Sequence, residues 1–234
     1  MRTSRQLLLR RRGTVALVIV IGVVLSSQGA TAVAKLRADY RFEGNLRSAV
    51  GTVGKLVEEG TGGVFVTRRV LGSRQGVWRW PEGTGLLLNE AMPAVGPDAD
   101  DYTFVMLLRL DSVGSYRKLI HLGAIGDDDG FYVYDRALLA YPQDVESERA
   151  IQRDVWQQVV ITRDAEGKER FYVDGDLVLR EADPDGDQVL GPDGFIRFPI
   201  DDEGTMDEES GGMIARLRIF NDALSARQVR RLDP

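Results

Sequence analysis

A succession of short apolar segments, separated by turn residues, is the feature that most constrains the fold of this 234-residue chain. The segments are rich in Val, Ile, Phe and Tyr and are bounded by Gly, Asp or Asn, which is typical of β-strands. We predict strands at Leu36–Phe42, Val64–Arg69, Gly83–Asn89, Tyr102–Leu110, Tyr116–Leu122, Phe131–Tyr134, Ala137–Tyr141, Trp156–Arg163, Phe171–Val173, Leu177–Leu179, Phe195–Phe198 and Met213–Phe220. About a dozen short strands with almost no helical periodicity predict an all-β sandwich of antiparallel sheets.

Two segments carry more specific local information. Tyr102–Leu110 is apolar at nearly every position, which is typical of a central strand covered on both faces. Asp174-Gly175 separates two apolar segments, and this pair favours a two-residue type I′ hairpin because both of its central residues need a positive φ. These segments therefore predict a central strand and one hairpin.

The end of the chain predicts a short C-terminal helix after the last strand. Ser225 is a suitable N-cap, and Gln228 three residues later completes a capping box. Leu224 and Val229 flank this cap at the spacing of a hydrophobic staple. We expect the helix to pack against the sandwich.

The first 34 residues have the composition of an export signal. Five arginines precede or border a short apolar run, Val15–Leu25, and the small residues of Ala30–Ala34 suit a signal peptidase. We predict that residues 1–34 are a signal peptide and that residues 35–234 form one secreted or cell-envelope domain. An uncleaved membrane anchor is the alternative, although an anchor normally needs about 18 or more apolar residues and this run is shorter.

The charge and cysteine content of residues 35–234 exclude several kinds of partner and site. Without the five arginines of the first 34 residues, the 30 basic residues of the chain fall to 25 while all 36 acidic residues stay, giving a net charge of −11. Such a surface repels phosphates and anionic lipid, which predicts no nucleic-acid partner and no membrane contact beyond the N-terminal segment. The lack of cysteine excludes disulfides and thiolate metal sites.

Several motifs follow one another along almost the whole of residues 38–232. They are Tyr40–Leu46 (YRFEGNL), Gly83–Leu88 (GTGLLL), Tyr102–Phe104 (YTF), Trp156–Arg163 (WQQVVITR) and Tyr172–Gly175 (YVDG). Together with the closing strand, they resemble in type and order the motifs of the laminin-G-like jelly roll, in the concanavalin A-like lectin/glucanase superfamily. The resemblance implies a two-sheet antiparallel jelly roll.

The resemblance also implies an extracellular binding function, because members of this family typically bind sugars or proteins and many hold calcium at the rim of the sandwich. The closing strand departs from the family pattern. Where many members carry an acidic pair, this chain has Ala215-Arg216. Any role that depends on those carboxylates is therefore absent.

The acidic loop before the closing strand is the candidate calcium site. Calcium takes six to eight oxygen ligands, and Asp201, Asp202 and Glu209 lie in a stretch rich in acids that a loop can fold together. A solvated acidic loop on an acidic protein is the alternative. Asp127–Asp129 is a second candidate that also suits a simple turn. Asp183–Asp187 fails as an EF-hand, because Gly and Glu are missing at the required positions.

No pattern in the sequence supports catalysis. A glycosidase on this sandwich needs two carboxylates across one sugar, and within a strand they must share a face. Glu146 and Glu148 alternate, but they lie in a predicted loop. The single histidine, His121, lies at a strand end and is predicted to be structural. We therefore predict that the protein is not an enzyme.

Tyr132 and Tyr134 are the candidate ligand-binding residues. They share one face of their strand, and if Phe131 and Val133 point inward the two tyrosines form a platform on the other face. Trp78 and Trp80 also alternate and can share one face. Core packing is predicted for Trp80, which precedes the glycine turn, and for Trp156, which begins a predicted buried strand.

These observations predict an exported, non-catalytic binding or adhesion module that recognises a glycan or a surface protein with the help of calcium. A carbohydrate-active enzyme on the same sandwich is the first alternative. A structural domain of the cell envelope is the second.

Overall fold

The computed structural model describes residues 34–51, 53–89, 91, 95, 100–122, 128–190, 194–200 and 208–234. The chain divides into two units, residues 1–31 and residues 32–234, and the second holds every strand and helix given below. Within the described ranges, no helix is both long enough and apolar enough to cross a membrane.

Short strands are the main regular secondary structure of the described chain. They are β1 (Leu36–Tyr40), β2 (Val57–Glu59), β3 (Val64–Val70), β4 (Ser73–Trp80), β5 (Gly85–Leu88), β6 (Tyr102–Leu110), β7 (Tyr116–His121), β8 (Gly130–Tyr134), β9 (Ala137–Tyr141), β10 (Gln157–Arg163), β11 (Lys168–Val173), β12 (Asp176–Ala182), β13 (Ile196–Phe198) and β14 (Gly212–Phe220). Helix α1 (Ala226–Val229) follows the last strand.

The strands form two antiparallel sheets. The eight-stranded sheet has the order β12-β11-β10-β6-β14-β4-β3, with β1 paired to β14, and the six-stranded sheet has the order β2-β5-β13-β7-β8-β9. A bulge next to Ala215 divides β14, so that its first part pairs with β4 and its second part with β1. The predicted all-β, two-sheet jelly-roll sandwich with a short C-terminal helix is confirmed.

The main hydrophobic core lies between the two sheets, because its members come from the facing sides of both. Strand β6 lies between β10 and β14 and is buried at almost every position, as its apolar sequence predicts. Trp78 and Trp80 are buried in this core with their rings stacked at 5.4 Å, and Trp80 Nε1 donates to the carbonyl of Ser210 at 2.7 Å. The prediction of core packing is confirmed for Trp80. It is wrong for Trp156, which is half-buried and packs against a smaller cluster that includes Val77 and Leu107, because it lies just before β10 begins.

Local sequence signals produce the expected turn and cap. Asp174 and Gly175 both have positive φ, 52° and 88°, as a type I′ hairpin requires. The Ser225 side chain and the Gln228 side chain form the reciprocal capping box of α1. Leu224 and Val229 are buried together in a cluster on the outer face of the eight-stranded sheet, which fixes the helix there.

Strands β2 and β4 were not predicted as strands. The first is only three residues long, and β4 begins with the polar sequence Ser73–Gly76 before its two tryptophans. Their strand conformation depends on pairing with β5 and β3, which apolar alternation within one segment does not reveal.

Candidate ligand-binding face and acidic cleft

Strands β7, β8 and β9 place four tyrosines on the outer face of the six-stranded sheet. Phe131 and Val133 of β8 belong to the core between the sheets, so Tyr132 and Tyr134 lie on the opposite side. Tyr116 of β7 is directly opposite Tyr134. Tyr141 of β9 completes the group, which we call the tyrosine face.

The rings of the tyrosine face are in mutual contact. The Tyr116 ring centroid lies 4.4 Å from that of Tyr134, with an interplanar angle of 37°. Tyr132 makes edge contacts with Tyr116 at 5.7 Å and with Tyr141 at 6.3 Å. Tyr116, Tyr134 and Tyr141 are half-buried, whereas only 1% of Tyr132 is exposed. The structure therefore brings Tyr132 and Tyr134 together, but only Tyr134 of the two presents its ring to solvent.

Tyr132 is the buried support of this face. The ammonium of Lys118 lies 4.1 Å from the centroid of its ring and donates to the carboxylate of Asp128 at 3.0 Å. The Tyr132 hydroxyl hydrogen bonds to the same two side chains. A buried lysine with a carboxylate partner and an aromatic ring is well compensated, so this network holds the sheet surface rigid beneath the exposed tyrosines.

Acidic groups border the exposed rings. The Tyr116 hydroxyl donates to Asp144 Oδ1 at 3.4 Å. Burial, together with the negative charges of Asp144 and Glu208, raises the pKa of Tyr116 above its ordinary value. Its hydroxyl therefore stays protonated at neutral pH and keeps its ability to donate a hydrogen bond.

A cleft of about 590 Å³ opens where β4, β6 and β14 begin or end. The residues that line it include the acids Glu82, Asp111 and Glu209 and the bases Arg79 and Arg117. We call this the acidic cleft. Glu209 is only 5% exposed, so its carboxylate is part of the wall rather than of the open loop surface.

Of the three residues predicted to bind calcium, only Glu209 lies within the described residues. Glu209 lies in the acidic cleft, whereas Asp201 and Asp202 lie outside the described residues. Within the described ranges, no group of three or more Asp, Glu or His side chains is arranged to hold a metal ion. Calcium at this loop stays a prediction.

The other acidic segments have structural partners. Asp128, from the second candidate loop, forms its ion pair with Lys118. Asp183 pairs with Arg163 at 2.8 Å and also accepts from the backbone N–H groups of residues 187 and 188, so it fixes the loop after β12. Glu146 and Glu148 are exposed in the loop after β9.

His121 is completely buried, with its ring stacked on Phe195 at 6.0 Å. Burial of the only histidine of the chain between strand residues is compatible with its predicted structural role.

Sequence reasoning missed a buried pair of carboxyl groups at the other edge of the eight-stranded sheet. Glu169 of β11 is directly opposite Glu181 of β12, and Glu169 has no exposed surface. Burial and the neighbouring Glu181 raise the pKa of Glu169 to about 9, and burial raises that of Glu181 to about 7. Two carboxyl groups buried this close together cannot both ionise at low cost, so the pair keeps a proton at neutral pH.

Tyr116 and Tyr141 were also missed as members of the tyrosine face. A two-residue turn at Asp135-Arg136 joins β8 to β9 and sets Gly130 opposite Tyr141. That short spacing is visible in the sequence and would have placed Tyr141 beside Tyr132. The loop before β8 hides the equivalent relation between Tyr116 and Tyr134.

Comparisons with known proteins agree with this architecture. Residues 90–230 match the family model of the Concanavalin A-like lectin/glucanases superfamily. No curated protein sequence matches the chain. Several solved structures are similar in fold at low sequence identity, so they bear on the fold alone.

Three of these structures are domains of different proteins. Domain 4 of AbnA, an extracellular arabinanase from Geobacillus stearothermophilus in complex with arabinotriose, has a TM-score of 0.67 at 17% identity, over 85% of this chain and 98% of that one. The binding domain of Paraclostridial Mosquitocidal Protein 1 has a TM-score of 0.63 at 14% identity, over 84% of this chain and 51% of that one. The binding domain of Botulinum Neurotoxin DC in complex with SialylT has a TM-score of 0.59 at 12% identity, over 84% and 50%.

Proposed function

Because this chain belongs to the Concanavalin A-like lectin/glucanases superfamily, we propose that it is a non-catalytic binding module that recognises a glycan through its tyrosine face. The observation that carries the proposal is the pair of half-exposed rings of Tyr116 and Tyr134, 4.4 Å apart on a rigid sheet. An aromatic ring offers an apolar face with a polar hydroxyl at its edge, which suits the mixed surface of a sugar.

The polar groups around these rings fit the same ligand. The Asp144 carboxylate lies beside the Tyr116 hydroxyl and accepts hydrogen bonds, as sugar hydroxyls require. The half-buried Tyr141 extends the aromatic surface on the far side of Tyr132. A binding site needs a few fixed polar groups on an apolar surface, and the tyrosine face has both.

Two of the similar structures support a glycan as the ligand, because one contains arabinotriose and another contains SialylT. The same Botulinum neurotoxin DC binding domain is also described in complex with a protein, rat synaptotagmin II, so a surface protein is the second ligand class. The tyrosine face favours the glycan.

The experiment is a glycan array followed by titration of the best glycan with residues 32–234. Tyr116→Ala and Tyr134→Ala are each expected to weaken binding about tenfold or more, since each removes part of the stacking surface. Phe65→Ala is the matched control, because Phe65 is 40% exposed but belongs to β3, in the other sheet. A blank array, or equal losses in the control, would contradict the proposal and favour a protein partner or envelope assembly.

Calcium at the acidic cleft is part of the proposal. Its support is the buried position of Glu209 in the wall of the cleft directly after the acid-rich loop, since hard cations prefer carboxylate oxygens; Asp111 and Glu82 line the same cleft but do not form a metal cluster with it. Asp201 and Asp202 would complete the ligand set, and the ion would fix the loop before β14. Thermal unfolding with calcium and with a chelator tests this. We expect a higher melting temperature with calcium that Glu209→Gln abolishes and Glu148→Gln retains; no calcium dependence would exclude the site.

The enzyme alternative makes a different prediction for the same cleft. A glycosidase needs two carboxyl groups about 5 to 9.5 Å apart across the sugar, and Glu82, Asp111 and Glu209 are the described acids that line this wall. We expect no release of reducing sugar from any glycan that binds. Turnover that Glu209→Gln abolishes would establish the enzyme instead.

We further propose that residues 1–34 direct export and that the mature domain acts outside the cytoplasm, as an adhesion module of the secreted or cell-envelope fraction. N-terminal sequencing of the exported protein is expected to begin near Ala34. Recovery of the uncut chain in the membrane fraction would identify the segment as an anchor.

A further inference from the structure

The hairpin of β3 and β4 has a composition unlike the rest of the domain. Between Gly60 and Pro81 the chain has four arginines and no acidic residue, although residues 35–234 have a net charge of −11. The arginines are exposed, and we call this segment the arginine hairpin. They are Arg68, Arg69, Arg74 and Arg79.

These arginines have no carboxylate partners within the described part of the chain. Arg68 and Arg69 donate only to the carbonyls of Thr67, at 3.0 Å, and Gly72, at 3.1 Å. Arg69 is directly opposite Arg74 in the strand pair. Like charges at opposite positions of a strand pair are destabilising, so the pair has a cost that the fold does not offset.

The tip of the hairpin adds an exposed apolar group. Leu71 and Gly72 form the two-residue turn, with φ of 45° and 95°. Asn, Asp or Gly is preferred at the first of these positions, because the left-handed conformation strains a bulky side chain. The Leu71 side chain is nevertheless 58% exposed. The tip therefore combines local strain with an apolar surface in water.

The hairpin is held firmly on the domain. Val70 and Val77 are buried against Leu107, Met213 and Ala215 of the eight-stranded sheet. Because one side of the hairpin is packed in this way, its tip and arginines are presented at a fixed position.

We propose that the arginine hairpin docks on the surface of an anionic phospholipid bilayer. Arg68, Arg69 and Arg74 contact lipid phosphates while Leu71 enters the boundary between head groups and acyl chains. Arginine is suited to this boundary, since its aliphatic stem packs on the acyl chains while its guanidinium pairs with a lipid phosphate. A soluble polyanion would use the charges but would gain nothing from an exposed leucine at the tip.

This docking departs from the prediction of no membrane contact, which was made from the net charge of the whole domain rather than from the charge at one hairpin. Screening limits electrostatic effects to about 8 Å at physiological ionic strength. Only charges near the contact act on the bilayer. The charged residues of the hairpin itself are all basic, and the exposed Glu43 lies against Gly76, four residues from the Leu71-Gly72 tip. The residues involved are separate from the tyrosine face, so either proposal can fail without the other.

Co-sedimentation of residues 32–234 with vesicles tests the proposal. Vesicles of phosphatidylglycerol and phosphatidylcholine in equal amounts are expected to bind the protein, and phosphatidylcholine alone is not. Arg69→Gln with Arg74→Gln is expected to lower binding about 25-fold, at about fivefold for each arginine. Arg47→Gln with Arg227→Gln, which removes two other exposed arginines, is the control and is expected to leave binding unchanged.

Leu71→Asn separates membrane insertion from folding. Asn-Gly suits this turn better than Leu-Gly, so the variant is expected to keep or raise the melting temperature while binding falls about five- to tenfold. Absence of binding to the anionic vesicles would overturn the proposal. So would equal loss in the control pair, or binding to dextran sulfate that exceeds binding to vesicles and is unaffected by Leu71→Asn.

Discussion

Each of the two outer hairpins of the eight-stranded sheet places two side chains of like charge type at opposite positions, but one pair is exposed and the other is buried. The β3–β4 hairpin places Arg69 opposite Arg74 in solvent, and the β11–β12 hairpin places Glu169 opposite Glu181 in the interior. An arginine stays charged at any accessible pH, so its pair must remain exposed or bind an anion. A carboxyl group can take up a proton, and this lets the glutamate pair be buried.

The turns of the two hairpins differ in how well their first residue suits a positive φ. Both have two residues with positive φ, but one is Asp174-Gly175 and the other is Leu71-Gly72. The Asp174 side chain accepts from the Gln158 N–H at 2.8 Å, whereas the Leu71 side chain is exposed. The β11–β12 turn therefore has a residue that suits its backbone, whereas the β3–β4 turn has an exposed leucine that the fold alone does not explain.

The largest expected effect comes from titrating the buried glutamate pair. The folded-state pKa values, about 9 for Glu169 and about 7 for Glu181, exceed the ordinary value of 4.5, so the folded protein holds protons that the unfolded chain releases. The contribution of this pair to the free energy of unfolding is therefore fully present below pH 4.5 and is lost as the pH rises through 7 and 9. At about 1.4 kcal/mol for each pKa unit, these values correspond to a loss of about 8 kcal/mol between pH 5 and pH 10 in urea unfolding. Glu169→Gln should flatten this profile, and an equally steep profile in that variant would assign it to other groups.

A smaller loss of stability is expected from removing the buried guanidinium of Arg163. Arg163 and Asp183 form a buried ion pair, with side chains 5% and 0% exposed. Arg163→Met leaves the aspartate buried and unpaired, so we expect a loss of about 3 to 5 kcal/mol in the free energy of unfolding. Arg170→Met removes a more exposed pair with Asp164 and should cost under about 1 kcal/mol. Equal costs would mean that burial does not distinguish these pairs.

Exchanging the chemistry of the two turns is expected to shift stability by about 1 kcal/mol in opposite directions. Asp174→Leu introduces strain and removes the hydrogen bond to Gln158, so it should destabilise the protein. Leu71→Asn relieves strain and should stabilise it. Thermal and urea unfolding of both variants measure the difference, and a stabilising Asp174→Leu would show that the turns are not equivalent.

The smallest effect is expected from the exposed arginine pair. Arg74→Gln removes one like charge opposite Arg69 and should raise the free energy of unfolding by about 0.5 kcal/mol at low salt. In about 1 M salt the gain should disappear, because exposed charges are screened there. Arg47→Gln provides the reference for removing an arginine without an opposite partner. A gain that persists at high salt would indicate a packing effect rather than repulsion.

Much of the fold was predictable because its signals are local. Tyr102–Leu110 and Ala137–Tyr141 form strands with the predicted bounds, since their apolar residues are contiguous. The Ser225 cap and the Asp174-Gly175 turn require only residues within a few positions of each other. The tyrosine face was predicted in part, since alternation in β8 puts Tyr132 and Tyr134 on one side.

Burial was not predictable in the same way. Tyr132 and Tyr134 look alike in the sequence, but the ammonium of Lys118 and the rings of both Tyr116 and Tyr141 enclose Tyr132, whereas Tyr134 packs against Tyr116 and stays half-exposed. Lys118 itself is fully buried, against the usual preference of lysine. These contacts come from neighbouring strands, so no single segment contains the information.

The two outer hairpins show where the sequence by itself was sufficient. In β3–β4 the register continues without interruption from the Leu71-Gly72 turn, so once that turn is given the sequence alone sets Arg69 opposite Arg74, although β4 itself was not predicted as a strand. In β11–β12 the Asp174-Gly175 turn alone would set Glu169 opposite Arg180, a favourable pair. A bulge next to Phe171 shifts the register by one residue and sets Glu169 opposite Glu181 instead. Only the tertiary structure decided this, because a one-residue shift reverses the side of every later side chain and packing against the core selects which side is buried.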